Sequence, residues 1–278
     1  MSVPPPVPAP LPPTATARSG KPVAGFFLDL LIAFSALFGL SLLCGLAWGA
    51  WRGIEIGIEL ARNGGTAPTG QDVMSAMGAP GALAQLLMAL IATGGAALLL
   101  YFWRHRARPA ERAASIQAAR KPSTWGWTLL VAACVFLGSS LIAALGKLLG
   151  VEPVPTNLPM MEQAVAHYPV FLVAFAVFLA PAYEELLFRR VLFGRLWAAG
   201  RPWLGLLLSS AAFALIHEIP GTSDNGPVEI LQLWLVYGGM GAAFAWLYRK
   251  TGTLWAAVAA HGINNAIALA ALVFFGMQ

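Results

Sequence analysis

Four side chains that could share one hydrolytic site lie in the C-terminal part of the chain: Glu184, His217, His261 and Asn265. In a low-dielectric site a carboxylate can act as a general base on water, and a neighbouring His can share the proton and orient the water. A second His and an Asn carboxamide can donate hydrogen bonds to a developing oxyanion. Together these residue types predict hydrolysis of an amide bond.

A second carboxylate stands beside Glu184, and helical geometry separates the roles of the two. Glu185 and Arg189 are four residues apart, so on a helix they share a face and can pair. Glu184 is rotated by about 100° from that face. We therefore predict that Glu185 and Arg189 support the site and that Glu184 is free to act.

The spacing around Gly200 predicts that Glu184 and His217 meet. The two residues lie at nearly equal distances on either side of Gly200, so an antiparallel hairpin with its turn there brings both to similar depth, about 24 Å from the turn. Counted from the start of its own apolar block, His261 is shallower by roughly two helical turns. The sequence therefore predicts an approach of Glu184 to His217 and leaves the height of His261 open.

Polar neighbours of the two histidines have separate interpretations. Asn265 shares a helix face with His261, whereas Asn264 points elsewhere and is assigned to packing or to a hydrogen bond between helices. Glu218, which directly follows His217, is interpreted as a polar cap where a membrane span meets an outer loop.

The elements that must position these residues are membrane helices. Of the 278 residues, 58% are apolar and only 10% are charged, against about 25% charged in soluble domains. This composition excludes a disordered chain, a soluble coiled coil and a typical cytosolic enzyme. We predict an all-α polytopic membrane bundle of about seven transmembrane helices, because seven apolar blocks approach the ~20 residues that cross a bilayer. The blocks are approximately 24–50, 80–103, 125–146, 168–188, 203–217, 228–248 and 253–275.

The basic residues predict the orientation of the bundle. With the N-terminus in the cytoplasm, 14 of the 17 Lys and Arg residues fall on the cytoplasmic side, and only Arg52, Arg62 and Lys147 do not. We therefore expect an integral membrane protein with its N-terminus in the cytoplasm and its C-terminus outside. The net charge is +5, but the positively charged residues lie between the apolar blocks and do not form one polar face. We therefore expect no nucleic-acid partner.

Residues 1–22 are rich in Pro and Ala and predict a disordered tail, and residues 23–278 form the membrane domain. Cys44 and Cys134 both lie inside apolar blocks, where core packing is their expected role. We interpret Asp29, near the start of the first block, as a structural residue at the level of the lipid headgroups.

Three motifs in order resemble the CPBP family, which comprises CAAX prenyl endopeptidases and related bacterial intramembrane proteases, also called Abi proteins. The family pattern is Glu-Glu-x-x-x-Arg, then Phe-x-x-x-His, then His-x-x-x-Asn. In this chain the motifs run from Glu184 to Arg189, from Phe213 to His217 and from His261 to Asn265. The resemblance covers approximately residues 125–275.

The resemblance implies a glutamate-dependent intramembrane endopeptidase. By analogy Glu184 activates the water, His217 assists it, and His261 with Asn265 forms the oxyanion hole. Glu185, Arg189 and Phe213 support the site. The expected partners are the lipid bilayer and a membrane protein or lipidated, CAAX-like peptide as the substrate.

Two alternatives remain open at the level of sequence. Family members also include non-catalytic binding, immunity and scaffold proteins, and this chain could be one of them. We expect no cofactor, but a Glu with two His residues could also bind zinc. The chain contains no His-Glu-x-x-His motif, because Ile219, Pro220 and Gly221 follow His217 and Glu218.

Overall fold

The structure, a computed structural model, describes residues 21–62 and 70–276, and within these ranges the regular elements are all helical. The predicted disordered tail therefore lies, apart from its last two residues, outside the described residues. The helices are α1 (Pro22–Arg62), α2 (Gly70–Met77), α3 (Ala82–Arg104), α4 (Pro109–Ala119), α5 (Pro122–Leu148), α6 (Leu158–His167), α7 (Pro169–Ala198), α8 (Pro202–His217), α9 (Pro227–Thr251) and α10 (Leu254–Phe275).

Within the described residues, six helices are long and apolar enough to cross a membrane, namely α1, α3, α5, α7, α9 and α10. Their outward faces carry many exposed Leu, Ile and Phe side chains, as expected where lipid is the solvent. The chain is thus an integral membrane protein, a polytopic helical bundle.

The fifth predicted span, α8, is shorter than the others. Its 16 residues extend for about 24 Å at a rise of 1.5 Å per residue, less than the ~30 Å of a bilayer core. It nevertheless connects both ends of the bundle. At the start of α8 the guanidinium of Arg249 lies 5.1 Å from the ring of Trp203. Just beyond the end of α8, at the other end of the bundle, Glu218 accepts a hydrogen bond from Thr156 in the loop after α5.

Helix α7 carries both glutamates and is irregular on either side of them. π-helical segments occupy Ala174–Leu179 and Leu186–Phe193. Pro181 lacks an N–H and cannot donate to the carbonyl of Val177, four residues earlier, which accounts for the first segment. Such segments free backbone carbonyls and are frequent at functional sites.

Two apolar clusters hold α7 in place. One packs α7 against α1, α3, α6 and α8, and includes Phe26, Leu86, Leu172 and Phe213. The other packs the end of α7 against α5, α9 and α10 through Phe193. The helix that carries the glutamates therefore lies between the two clusters.

Charged side chains join the N-terminal helices to α7. Asp29 is fully buried, and its carboxylate lies 2.5 Å from Arg104 Nε, 2.7 Å from His105 Nε2 and 2.5 Å from Arg195 Nε. Three basic side chains thus surround Asp29 inside the protein, which agrees with the structural role expected for it, and its level relative to the lipid headgroups stays a prediction. Glu111 of α4 pairs with Arg190 at 2.7 Å, one helical turn before Arg195 along α7.

Candidate active site

Three of the four predicted catalytic side chains meet at one point, where α7, α8 and α10 approach each other. Oε2 of Glu184 lies 3.7 Å from Nε2 of His217 and 3.8 Å from Nε2 of His261. The height of His261, which the sequence left open, is therefore such that its Nε2 reaches Glu184 as closely as that of His217 does. The spacing of 3.7–3.8 Å leaves the three groups near enough to share one bridging water.

The partners of the Nδ1 atoms define the tautomers of both histidines. Nδ1 of His217 lies 2.7 Å from the carbonyl oxygen of Phe213, and Nδ1 of His261 lies 2.9 Å from Oε1 of Glu185. A carbonyl oxygen and a carboxylate only accept hydrogen bonds, so both Nδ1 atoms carry a proton. In the neutral state each ring therefore turns an Nε2 lone pair toward Glu184.

Glu185 and Arg189 form the predicted ion pair, fully buried, with 2.9 Å between Oε2 and Nε. The Nε–H is not aligned on the oxygen as a hydrogen bond. Aromatic faces complete the surroundings of the guanidinium, whose carbon lies 4.6 Å from the ring of Phe213 and 5.6 Å from that of Phe244. Glu185 also holds His261, so it contacts both its helical neighbour and the site.

Phe213 separates the buried cation from the first histidine. Its ring is fully buried, and the ring of His217 lies 4.2 Å away, between centroids. Arg189 lies against Phe213 as well. Phe213 thus contacts Arg189 and His217 together, which is consistent with the supporting role predicted from the motif.

Asn265 lies one turn beyond His261 on α10 and contacts the irregular part of α7. Its Nδ2 donates to the carbonyl oxygen of Ala176 at 3.0 Å, within the first π-helical segment. Gly262 permits this close approach, because a Cβ there would lie 2.4 Å from the carbonyl oxygen of Val177. One amide N–H of Asn265 is thus engaged with the backbone, and a role in an oxyanion hole rests on the second.

Helix α9 contributes two aromatic residues that the sequence reasoning missed. The ring of Tyr237 lies 4.7 Å from that of His217, and Phe244 stacks on His261 at 5.0 Å and 21°. Phe244 follows Tyr237 by seven positions, which is about two helical turns, so both lie on one helix face. That spacing was a readable signal, but it becomes meaningful only once α9 is known to lie against both histidines.

The site lies within the part of the chain that resembles known proteins. Residues 166–267 match the family model described as type II CAAX prenyl endopeptidase Rce1-like. This stretch is CAAX protease-like. It contains Glu184, His217, His261 and Asn265, together with the supporting residues Glu185, Arg189 and Phe213.

A curated relative supports the same family. YdiL of Bacillus subtilis (strain 168), named as a candidate membrane peptidase, is 28% identical over 109 residues, which cover 39% of this chain. The chain spans about 40% of the length of that relative. No solved structure matches the chain.

Proposed function

We propose that this protein is an intramembrane endopeptidase that hydrolyses a peptide bond of a membrane-associated protein or peptide, with Glu184 as the general base. The observation that supports this proposal best is the position of Glu184, whose carboxylate faces the Nε2 atoms of both His217 and His261 at 3.7 and 3.8 Å. The similarity of this stretch to CAAX prenyl endopeptidases agrees with it.

In the proposed mechanism, the two protons of a bridging water point to Oε2 of Glu184 and Nε2 of His217. Glu184 takes one proton while the water oxygen attacks the scissile carbonyl carbon. The tetrahedral intermediate then collapses, the C–N bond breaks, and Glu184 returns the proton to the leaving amine. His217 orients the water throughout, held by Phe213 at Nδ1.

His261 and Asn265 stabilise the oxyanion in this proposal. His261 donates from Nε2 only in its charged form, because its Nδ1 proton is directed at Glu185. Glu185 accepts that Nδ1 proton and so orients the ring of His261, besides forming its ion pair with Arg189. The second N–H of Asn265 supplies the other hydrogen bond.

The proposed substrate is a membrane-tethered or lipidated, CAAX-like protein cut near its C-terminus. A membrane site between helices suits a substrate that is already anchored in the bilayer. We further propose that the protein resides in a bacterial cell membrane, as the resemblance to bacterial intramembrane proteases implies. The distribution of basic residues supports a cytoplasmic N-terminus.

The test compares membrane-protein C-termini from cells that express the wild type or Glu184→Ala. We expect C-terminal fragments that occur with the wild type and are absent with the variant. Asp224→Ala, which removes an exposed carboxylate outside the site, is the matched control and should give the wild-type pattern. Identical C-termini in all three samples would contradict the proposal and favour a non-catalytic binding, immunity or scaffold protein.

A further inference from the structure

Glu218 is the first residue beyond α8 and directly follows His217. The sequence predicted a polar cap at the edge of the membrane, yet the side chain of Glu218 is fully buried. Its carboxylate accepts hydrogen bonds from Oγ1 of Thr156 at 2.6 Å, from Nδ2 of Asn225 at 3.0 Å and from the hydroxyl of Ser223. The carboxylate of Glu218 is therefore the centre of a buried hydrogen-bond network with three side-chain donors, and it is not a surface charge.

These contacts connect three separate segments at the same end of the bundle. Asn225 also bonds the backbone of Val154 in both directions, at 3.0 and 2.8 Å, and so joins the loop after α5 to the loop after α8. From α9, Nε1 of Trp234 donates to the main-chain oxygen of Glu218 at 2.9 Å. We name this set the polar latch; its members are Thr156, Glu218, Ser223, Asn225 and Trp234.

The polar latch lies at the C-terminal end of α8, where local unfolding of the helix would displace His217. His217 is the last residue of α8, and the final turn of a helix frays unless its carbonyl groups and the following residue are held. Helical hydrogen bonding continues through the amide of Glu218, which donates to Ala214 at 3.1 Å. The polar latch holds that residue by both its side chain and its main chain.

The ionised form of Glu218 is the one that fits these donors. Burial alone would raise the pKa of Glu218, but the hydrogen bonds from Ser223, Thr156 and Asn225 lower this pKa below the ordinary value. A glutamine would place an NH2 group among the donors and leave at least one of them without an acceptor. The three side chains that donate to the carboxylate of Glu218 all belong to the loops after α5 and α8.

We infer that Glu218 is a positioning residue for the proposed reaction, holding the end of α8 so that His217 stays within reach of the water on Glu184. The inference rests on the proposed function. Glu218 would then be a third glutamate that the reaction needs, after Glu184 and Glu185. It acts by positioning His217 and does not contact the substrate. Displacement of a catalytic group by about 1 Å can cost ~10²-fold in rate, so loss of the polar latch should be visible in turnover.

The experiment compares Glu218→Gln and Glu218→Asp with Asp224→Asn, which removes a charge from an exposed position in the same loop. We expect Glu218→Gln to lower kcat by about 10- to 100-fold with KM nearly unchanged. Glu218→Asp keeps the acceptors and should recover part of the rate, and Asp224→Asn should match the wild type. Equal kcat for Glu218→Gln and Asp224→Asn would overturn the inference.

Hydrogen exchange of the peptide that covers 213–219 supplies a readout that does not need cleavage. In Glu218→Gln we expect faster exchange at this end of α8 and wild-type exchange in α3 and α5. Unchanged exchange in 213–219 would overturn the inference. Should Glu218→Gln fail to fold, Thr156→Val removes a single donor, and it must show the same local exchange change for the inference to stand. Absence of cleavage by the wild type would contradict the proposed function, whereas exchange would still decide whether Glu218 holds α8.

Discussion

Glu184 and Glu185 are neighbours in the sequence but have different surroundings. Glu185 is fully buried between Arg189 and His261, while Glu184 keeps 15% of its side chain exposed and faces two imidazole rings. Helical rotation alone predicted that one carboxylate pairs with Arg189. It could not predict that the same carboxylate also holds His261, because that contact crosses from α7 to α10.

Neutralising Glu184 should remove activity, whereas neutralising Glu185 should lower stability. We expect Glu184→Gln to abolish cleavage while thermal melting in detergent stays close to wild type. Glu185→Gln should lower stability by about 3–5 kcal/mol, because it leaves Arg189 as an uncompensated buried charge. Activity assays and melting curves on both purified variants check this. Equal loss of stability in the two variants would mean that Glu184 is structural.

Asn265 should contribute to rate without being indispensable. Removal of one oxyanion donor typically costs ~10²–10³ in rate, so Asn265→Ala should be slow but measurable, and His217→Ala nearly inactive. Asn264→Ala is the control, since Asn264 is a neighbouring carboxamide that the helix turns in another direction. Single-turnover rates on one substrate check the order. A rate for Asn265→Ala equal to that of Asn264→Ala would remove Asn265 from the mechanism.

Metal dependence is a prediction of the mechanism and is decided by measurement. Within residues 21–62 and 70–276 no three His, Cys, Asp or Glu side chains form a group that could hold a metal ion. The glutamate mechanism uses Glu184 as the base, whereas a zinc site would engage Glu184 as a ligand and need another base. We expect purified protein without stoichiometric zinc and activity that survives a chelator. One zinc per chain, with activity lost on chelation and restored by metal, would make Glu184, His217 and His261 the ligands.

At the scale of elements, the irregular helix α7 and the close approach of α10 belong together. Pro181 disrupts the regular hydrogen bonding of α7, Asn265 donates to a carbonyl of the π-helical segment, and Gly262 leaves room for the contact. Because α10 also carries His261, this packing determines how far that histidine reaches toward Glu184.

Gly262→Ala should therefore damage the site through packing. Its Cβ would meet backbone at 2.4 Å, which a rigid helix pair relieves only by moving apart. We expect a lower melting temperature and reduced kcat. Gly138→Ala, in the helical interior of α5 with no atom within 4 Å of the added Cβ, should be neutral or slightly stabilising. Equal melting temperatures and kcat values for the two variants would show that α7 and α10 can move apart without damage to the site.

The sequence predicted the helices better than their mutual contacts. Long apolar blocks and basic loops are local signals, so the membrane spans and the grouping of the motifs could be read directly. The burial of Asp29 by Arg104 and Arg195, the aromatic contacts of Tyr237 and Phe244, and the polar latch could not. Each depends on residues far apart in the chain, whose meeting is decided by packing.

At the scale of the whole molecule, α5 and α9 pack antiparallel to each other, and their contacts define the two ends of the helical bundle. Lys250 lies 4.9 Å from the ring of Trp127 at one end, and Gly146 adjoins Gln232 at the other. Arg112 lies in α4, near the first end, and Asp224 in the loop near the second. The short helix α8 also runs between these ends.

Topology reporters should therefore distinguish the two ends. We expect fusions near Arg112 to report the cytoplasm and fusions near Asp224 to report the outside, because most basic residues lie at the first end. Matched fusions in the wild type and in a variant with added Lys residues near Asp224 test whether charge sets the orientation. The same side reported for both wild-type fusions would contradict seven crossings.

The ion pairs of Asp29 and Glu111 with residues of α7 have a consequence for experiments on fragments of this protein. The match to the family model begins at residue 166, but Arg190 and Arg195 inside the matched stretch have their counter-charges in α4 and α1. A fragment trimmed to the similar stretch would carry two cations into a bundle that had lost the carboxylates meant for them. We therefore expect the unit of folding to be larger than the stretch of sequence similarity. A minimal catalytic fragment would have to keep α1 and α4, or receive them as a second polypeptide in the same membrane.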